Sequence, residues 1–423
     1  MAASDHAKMH GTRDDALAIV RTLHDAGHVA YFAGGCVRDT VLGLRPKDWD
    51  VATDAPPERV RTLFRNTQAV GAAFGVILVR QQRSTIEVAT FRSDGTYSDG
   101  RRPDSVRFAT PQEDARRRDF TINGLFMDPL DDDRVIDFVG GVDDLHRRTL
   151  RAIGDPDHRF SEDYLRMLRA VRFAARFQLN IDPATEQAIL SNAPKLSRIS
   201  PERIGDELRA TFTAPTRRIA RDHLDRLGLL SVLMRHVDPG PMSLDLIAAL
   251  PADQTIAFPL ALAALQLDWL GRSALEGRLV SGLVHAARQS LRLSNDESEH
   301  LAQCLDLGPI LRAEPPRICT LKRFLAQQFS ADAVTLLTAH ASIDSYAPIV
   351  RERLPTIHEL LKTDVAPTPF ATGDDLVTLG FKPGPLFKTV LDAVYDAQLE
   401  DRVTTRQDAI TLAHELMRSA SPT

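Results

Sequence analysis

The sequence predicts an α+β protein, with a sheet-and-helix head followed by an all-helical neck, body and tail. Two observations carry this. The first 150 residues hold short strand-like runs, VAYFAGG at 29–35, DWDVAT at 48–53, GVILVR at 75–80 and TIEVATFR at 85–92, interleaved with helical stretches. Beyond about residue 150 strand signals fade, and helical periodicity continues past Asp182-Pro183, Ser200-Pro201 and Pro315-Pro316. The order reads as an N-terminal helix over 1–28, the head over 29–150, a helical neck over 151–215 and a helical body over 216–354. A linker and helical tail over 355–423 follow, with VAPTPFATG between Pro355 and Gly373 as the linker. Segment 94–111, rich in Gly, Asp, Ser and Pro, reads as a mobile loop between strand and helix.

Composition narrows the function. A chain of 423 residues, 43% hydrophobic, buries a core without staples. Cys36, Cys304 and Cys319 are odd in number and scattered, with no C-x-x-C spacing and no nearby histidine pair, which predicts neither disulfides nor a zinc site. MAASDHAKMHGTRDD has no apolar core to act as a secretory signal. The longest apolar run, Ala257 to Leu267, is too short to span a bilayer and leads into Asp268, so it reads as a buried helix. The expected compartment is the cytoplasm, with no membrane partner. A net charge of −5 argues against indiscriminate nucleic-acid coating. Local charge differs: seven arginines lie from Arg92 to Arg118 and eight from Arg147 to Arg176.

These arginines flank residues with chemical potential. Asp48 and Asp50 sit two apart, and in a strand that spacing projects both carboxylates onto one face about 7 Å apart. Such a pair suits two bridged divalent cations, because magnesium prefers oxygen ligands and keeps positions open for substrate phosphates. Just upstream, GGCVRD ends a predicted strand: Gly34 and Gly35 allow close backbone approach, and Arg38 can grip a phosphate from the start of the following helix. The glycine spacing of a dinucleotide site is absent. Glu87 alternates with Ile86 and Val88, so it either reaches the face of the aspartates or faces solvent. RRRDFTINGLF places Arg117, Arg118, Asp119 and Asn123 at the start of a helical run, where Asp119 and Asn123 are neighbours at i, i+4.

Together these residues resemble the class II nucleotidyltransferases, the family of tRNA CCA-adding enzymes and bacterial poly(A) polymerases, over roughly residues 29–215. GGCVRDTVLGLRPKDWDVAT is similar to the family's first motif, which implies Mg2+ at Asp48 and Asp50 and contact of Gly35 and Arg38 with the incoming nucleotide. RRDFTIN is similar to the second motif, which selects ribose and implies that role for Arg118, Asp119 and Asn123. SEDYLRMLRAVRFAARF resembles the base-reading E-D-x-x-R motif, matched by Asp163 and Arg166 with Arg169 and Arg172 as its extension along a helix. The resemblance makes the fold a nucleotidyltransferase-type catalytic palm with a nucleotide-reading, RNA-binding neck. Many relatives carry a metal-binding histidine-aspartate domain after the neck. Here LALAALQLDWLG has Gln266 where histidine would sit, which predicts no phosphohydrolase. GDDLVTLGFKPGPLF also resembles a family tail element, and a capped helix with a Pro-Gly turn explains it equally well.

The base-reading pair follows from hydrogen-bond chemistry as well. Cytosine and adenine each present an amino donor beside a ring-nitrogen acceptor, whereas aspartate only accepts and arginine only donates. Asp163 and Arg166 therefore match C and A and leave U and G with acceptor facing acceptor. The expected activity is template-independent addition of C and A to a tRNA 3′ end from CTP and ATP, with a two-metal Mg2+ site and release of pyrophosphate. Three alternatives stay open: poly(A) addition, CC-only or A-only addition, and an RNA-binding protein that has lost catalysis. Ala72 and Ala73, where bacterial poly(A) polymerases tend to carry basic residues, favour tRNA.

Overall fold

In the segment Ser84–Thr90, Ser84, Ile86, Val88 and Thr90 are buried, while Thr85, Glu87 and Ala89 point to the other face, the period-two pattern of a strand with one face on a core. The computed structural model describes residues 9–71, 75–81, 84–97, 105–240, 244–271, 278–311, 314–343 and 347–420. Its contacts divide the chain into two units, Met1–Thr211 with Ile219–Leu233, and Phe212–Arg218 with Met234–Thr423.

The first unit holds the sheet. Its strands are β1 (Met9–His10), β2 (Ala30–Ala33), β3 (Val51–Thr53), β4 (Thr67–Gly71), β5 (Val76–Gln81) and β6 (Ser84–Thr90). A separate ribbon pairs β7 (Arg92–Asp94) with β8 (Val106–Phe108), after which β9 (Leu125–Asp128) and β10 (Arg134–Asp137) return to the main sheet. The eight main-sheet strands run β10-β9-β2-β3-β6-β5-β4, with β1 beside β6. β3 and β6 are parallel, with Val51 opposite Val88, Ala52 opposite Ala89 and Thr53 opposite Thr90. Helix α1 (Arg13–Asp25), started by a Thr12/Asp15 capping box, lays Ile19, Val20 and Leu23 on one face of the sheet. On the other face Ala33, Ala52, Phe91, Ala115 and Phe126 form a smaller cluster.

Short helices α2 (Gly35–Val41), α3 (Pro57–Leu63), α4 (Pro111–Arg116) and α5 (Gly141–His146) complete the head. Then come α6 (Pro156–Glu162), α7 (Leu165–Phe177), α8 (Pro183–Asn192) and α9 (Pro201–Phe212). A two-residue parallel pair, β11 (Thr149–Leu150) with β12 (Asn180–Ile181), survives where the sequence signals no strand.

Several boundaries differ from expectation. Hydrogen bonding assigns β3 only from Val51, so Asp48 and Asp50 lie on its lead-in, with Asp50 O accepting from Ala33 N at 3.0 Å. The helical run expected from Asp119 is a single 3-10 turn, Thr121–Asn123, because β9 claims the chain from Leu125. The described ends of the 94–111 loop are clamped into the β7–β8 ribbon and α4, and 98–104 lie outside the described residues. Ala72 and Ala73 also lie outside them.

The second unit is helical. The apolar run forms the helix Phe258–Leu270, buried from Phe258 to Asp268. Gln266 is buried in it, and Asp268 accepts from Leu246 N at 2.6 Å and Ile247 N at 3.1 Å, capping the helix Leu246–Ala249. Pro355 sits inside the helix Ala347–Leu360, so the linker begins after Leu360 and not at Pro355. The linker is tied down by Gln398, which accepts from Phe370 N and donates to Thr368 O, both at 2.9 Å. GDDLVTLGFKPGPLF folds as a helix with a Thr372/Asp375 capping box, then a helix begun by Pro385. Among the described residues no helix is long and apolar enough to cross a membrane.

Candidate active site

The parallel register explains how three acids meet. Continuing the β3–β6 pairing one residue backwards sets Asp50 opposite Glu87, and register partners in a parallel pair share a face. Both line one cavity with Asp48, and Glu87 therefore reaches the aspartates. Burial, then the Glu87 and Asp48 carboxylates, push the Asp50 carboxyl up to about 7 against the pull of Arg118. Burial also raises Glu87, opposed by Arg118 and Arg92. Crowded carboxylates of this kind are a donor set that a divalent cation relieves. Among the described residues no cluster of three His, Cys, Asp or Glu side chains is set to hold a metal, so an ion here would complete its shell with phosphate oxygens and water.

The cavity, about 790 Å³, holds every residue expected from the sequence: Gly34, Gly35, Arg38, Arg118, Asp119, Asn123, Asp163, Arg166, Arg169 and Arg172 besides the three acids. That volume is within the range of small-molecule sites, about 300–1,000 Å³. Gly34 has φ +72°, a conformation that calls for glycine, and a Cβ there would push the Arg118 guanidinium, 2.8 Å away, from its place.

Asp114 is buried and organises the arginines. It accepts from Arg117 Nη2 at 2.7 Å and Arg118 Nη2 at 3.0 Å. Burial works to raise its carboxyl, but Arg118 and Arg117 outweigh that and hold it low. Arg38 is not an open phosphate grip: it donates to Asp39 Oδ1 and Asn123 Oδ1, each at 2.6 Å, and lies over Phe177 at 4.4 Å. Asn123 in turn donates to Asp119 Oδ1 at 2.9 Å, so the two are neighbours as expected despite the 3-10 geometry. Asp119 Oδ2 takes Arg169 Nε at 2.8 Å, which ties the RRDFTIN segment to α7. Burial works to raise Asp119, but Arg169 and Asn123 prevail and hold it at about 2.

Asp163 is not on the helix with Arg166, Arg169 and Arg172. It has extended backbone, φ −158°, between α6 and α7. Arg166 N donates to Asp163 O at 3.1 Å, but their side chains do not pair with each other. Arg166 Nη1 donates to Glu162 and to Arg159 O, the latter at 2.8 Å. Asp163 is gripped by Arg203 of α9, through Nη1 to Oδ1 at 3.1 Å and Nη2 to Oδ2 at 2.6 Å. Arg172 pairs with Glu207 of the same helix and lies over Phe173 at 4.5 Å. The sequence reading missed Asp114, Arg203 and Glu207. The i, i+3 and i, i+4 placement of Asp114 before two arginines, and of Arg203 before Glu207, is the signal that could have found them.

One cavity thus combines crowded strand-side acids with an aspartate and an arginine held by separate partners. The family models agree with it. Residues 30–151 match the poly A polymerase head domain, and residues 178–240 match a probable RNA and SrmB-binding site of polymerase A. A CCA-adding enzyme of Leuconostoc mesenteroides is 32% identical over 401 residues, covering 94% of each chain. The chain belongs to the CCA-adding enzyme family. Another member, from Geobacillus thermodenitrificans, is 33% identical over 415 residues and covers 93% of this chain and 95% of its own. The fold agrees over nearly the whole length. The crystal structure of the Bacillus stearothermophilus CCA-adding enzyme in complex with CTP superposes with a TM-score of 0.75 at 30% identity, covering 96% of this chain and 98% of that one. The Thermotoga maritima CCA-adding enzyme complexed with tRNA, at 18% identity and a TM-score of 0.69, shares the fold.

Proposed function

We infer that this chain is a template-independent tRNA nucleotidyltransferase that adds C and A to the tRNA 3′ end from CTP and ATP. The observation that carries the reading is one cavity holding Asp48, Asp50 and Glu87 together with Asp163 and Arg166. Magnesium held by Asp48 and Asp50 would lower the pKa of the attacking 3′-hydroxyl and neutralise charge developing at the α-phosphate. Glu87 adds a third carboxylate beside Asp50.

The rest is positioning. Arg118, braced by Asp114, presents fixed positive charge to the triphosphate, while Arg38, held by Asp39, fixes Asn123 in place. Asp119 and Asn123, locked to each other and to Arg169, face the sugar. Asp163 accepts from the amino group of C or A while Arg166 donates to the ring nitrogen, so base choice needs no nucleic-acid template. The cytoplasm, where tRNA is processed, is the compartment that goes with this activity.

The head match carries a poly(A) polymerase description, so one experiment must separate the readings. Purified protein is incubated with magnesium, all four nucleotides and tRNA lacking its 3′ end, and the product ends are sequenced. Ends in CCA are expected. Runs of A, or arrest after CC, move the assignment to the corresponding alternative, and no incorporation leaves an RNA-binding protein.

A further inference from the structure

Asp163 reads as an acceptor, yet an isolated carboxylate is a poor reader. It offers about four lone-pair sites on two equivalent oxygens and turns about its terminal torsion, which is broad. The contacts of this carboxylate remove that ambiguity. Oδ1 accepts from Arg203 Nη1 at 3.1 Å and from the backbone N–H of Leu165 at 3.1 Å, which fills both of its positions. Oδ2 accepts from Arg203 Nη2 at 2.6 Å. Among the described residues this leaves one open acceptor position, on Oδ2.

Arg203 reaches Asp163 from α9, forty residues on, and lines the cavity itself. One turn further along α9, Glu207 takes Arg172, so one face of this helix braces both an acid and a base of the reading set. The guanidinium fork matters here, because two parallel N–H groups fix the carboxylate plane in a way that a single ammonium does not.

We propose that Arg203 is a specificity-positioning residue, which holds Asp163 so that a single acceptor site faces the amino group of the base. The inference rests on the base-reading role of Asp163 given above. Removing Arg203 frees the carboxylate to swing away from the base edge, and a carboxylate withdrawn from that edge no longer sets acceptor against acceptor when uracil enters. The loss therefore falls on discrimination, beyond any loss of rate. A merely structural role for the ion pair would slow all four nucleotides alike.

The test compares Arg203→Ala, Arg203→Lys, Asp163→Asn and the double variant Arg203→Ala/Asp163→Asn, in the full-length chain with tRNA lacking its 3′ end. Relative kcat/KM for CTP, ATP, UTP and GTP is read, with thermal melts as the folding control. The CTP-to-UTP ratio is expected to fall by roughly tenfold or more in Arg203→Ala, the scale of one lost directional hydrogen bond in a reading site. Arg203→Lys should lie between it and the parent. In the Asp163→Asn background, removing Arg203 should leave the ratio unchanged. If Arg203→Ala does not fold, the ratio in Arg203→Lys decides: a fall supports the proposal and the parental value overturns it. A uniform slowing with the ratio intact in Arg203→Ala overturns this inference alone, provided Asp163→Asn shifts the ranking. A ranking untouched in Asp163→Asn overturns the base-reading role and this inference with it.

Discussion

On the sheet side of the cavity Asp48, Asp50 and Glu87 crowd their charges, and Asp50 is driven up to about 7. On the helical side every acid already touches a guanidinium: Asp119 with Arg169, Asp163 with Arg203, Glu207 with Arg172. Both sets come from one folded unit and line or brace one cavity, but they stand in different relation to the ligand. In the proposed function a cation relieves the crowding of the sheet's acids, so their arrangement costs folding stability and gains binding. The helical pairs are satisfied beforehand, so they contribute order to a site that reads shape and hydrogen bonding.

Removing an acid from each side should separate the two behaviours. The largest effect is expected for Asp50→Ala, with incorporation into tRNA falling by about a thousandfold or more once a metal-holding carboxylate is gone. Its metal-free melting temperature should stay level or rise at neutral pH, because a repelled carboxylate has been removed. A folded Asp50→Ala protein that keeps incorporation within about tenfold of the parent would remove Asp50 from the chemistry.

Asp119→Ala should behave in the opposite way. It leaves Arg169 without its partner and should cost about 2 kcal/mol in denaturant unfolding. The preference for ATP over its 2′-deoxy form should narrow at the same time, by about tenfold. An unchanged ribose preference would confine Asp119 to holding Arg169. The sign of the pH dependence follows from its lowered pKa: the stability contributed by Asp119 is complete above the ordinary carboxylate range and is lost as pH falls through about 2.

A further effect concerns Asp50 in chelator. Its folded pKa, about 7, lies above its unfolded value of 3.8, so the folded state holds the extra proton between the two. Stability of the metal-free parent should therefore decline as pH rises from 4 towards 7, and Asp50→Asn should flatten that decline. Melts across this range, with and without magnesium, measure it. A decline of equal slope in Asp50→Asn would assign the dependence to other groups.

The head was readable because its residues sit in short runs whose spacing survives folding. Gly34 to Asp50 and Arg118 to Asn123 each lie within one turn-and-element unit, so local sequence nearly determines who meets whom. Glu87 allows two readings in the sequence, since its partner is set by the pairing of β6 with β3, which no local pattern states. Asp163 was placed on a helix because E-D-x-x-R has helical spacing, but an extended residue separates α6 from α7. Arg203 and Glu207 escaped because SPERIGDELRA reads as an ordinary helix with a charged face. Only the ion pairs with Asp163 and Arg172 distinguish their face from one in water. Pro355 misled by propensity: a proline inside a helix is costly, and tertiary packing overrode it.

The pairing of β3 with β6 also bears on which changes in length the head can accept. Residues added between α3 and β4 alter a connection and leave the phase of β6 untouched. One residue removed between Ser84 and Glu87 inverts the strand instead, turning Glu87 into the core and offering Ile86 or Val88 to the cavity. An insertion or deletion there should therefore erase the third acid and expose an apolar side chain in a single step, without altering any residue of the first motif. Across natural or engineered variants of this protein, length in that stretch should be as fixed as the identity of the aspartates themselves.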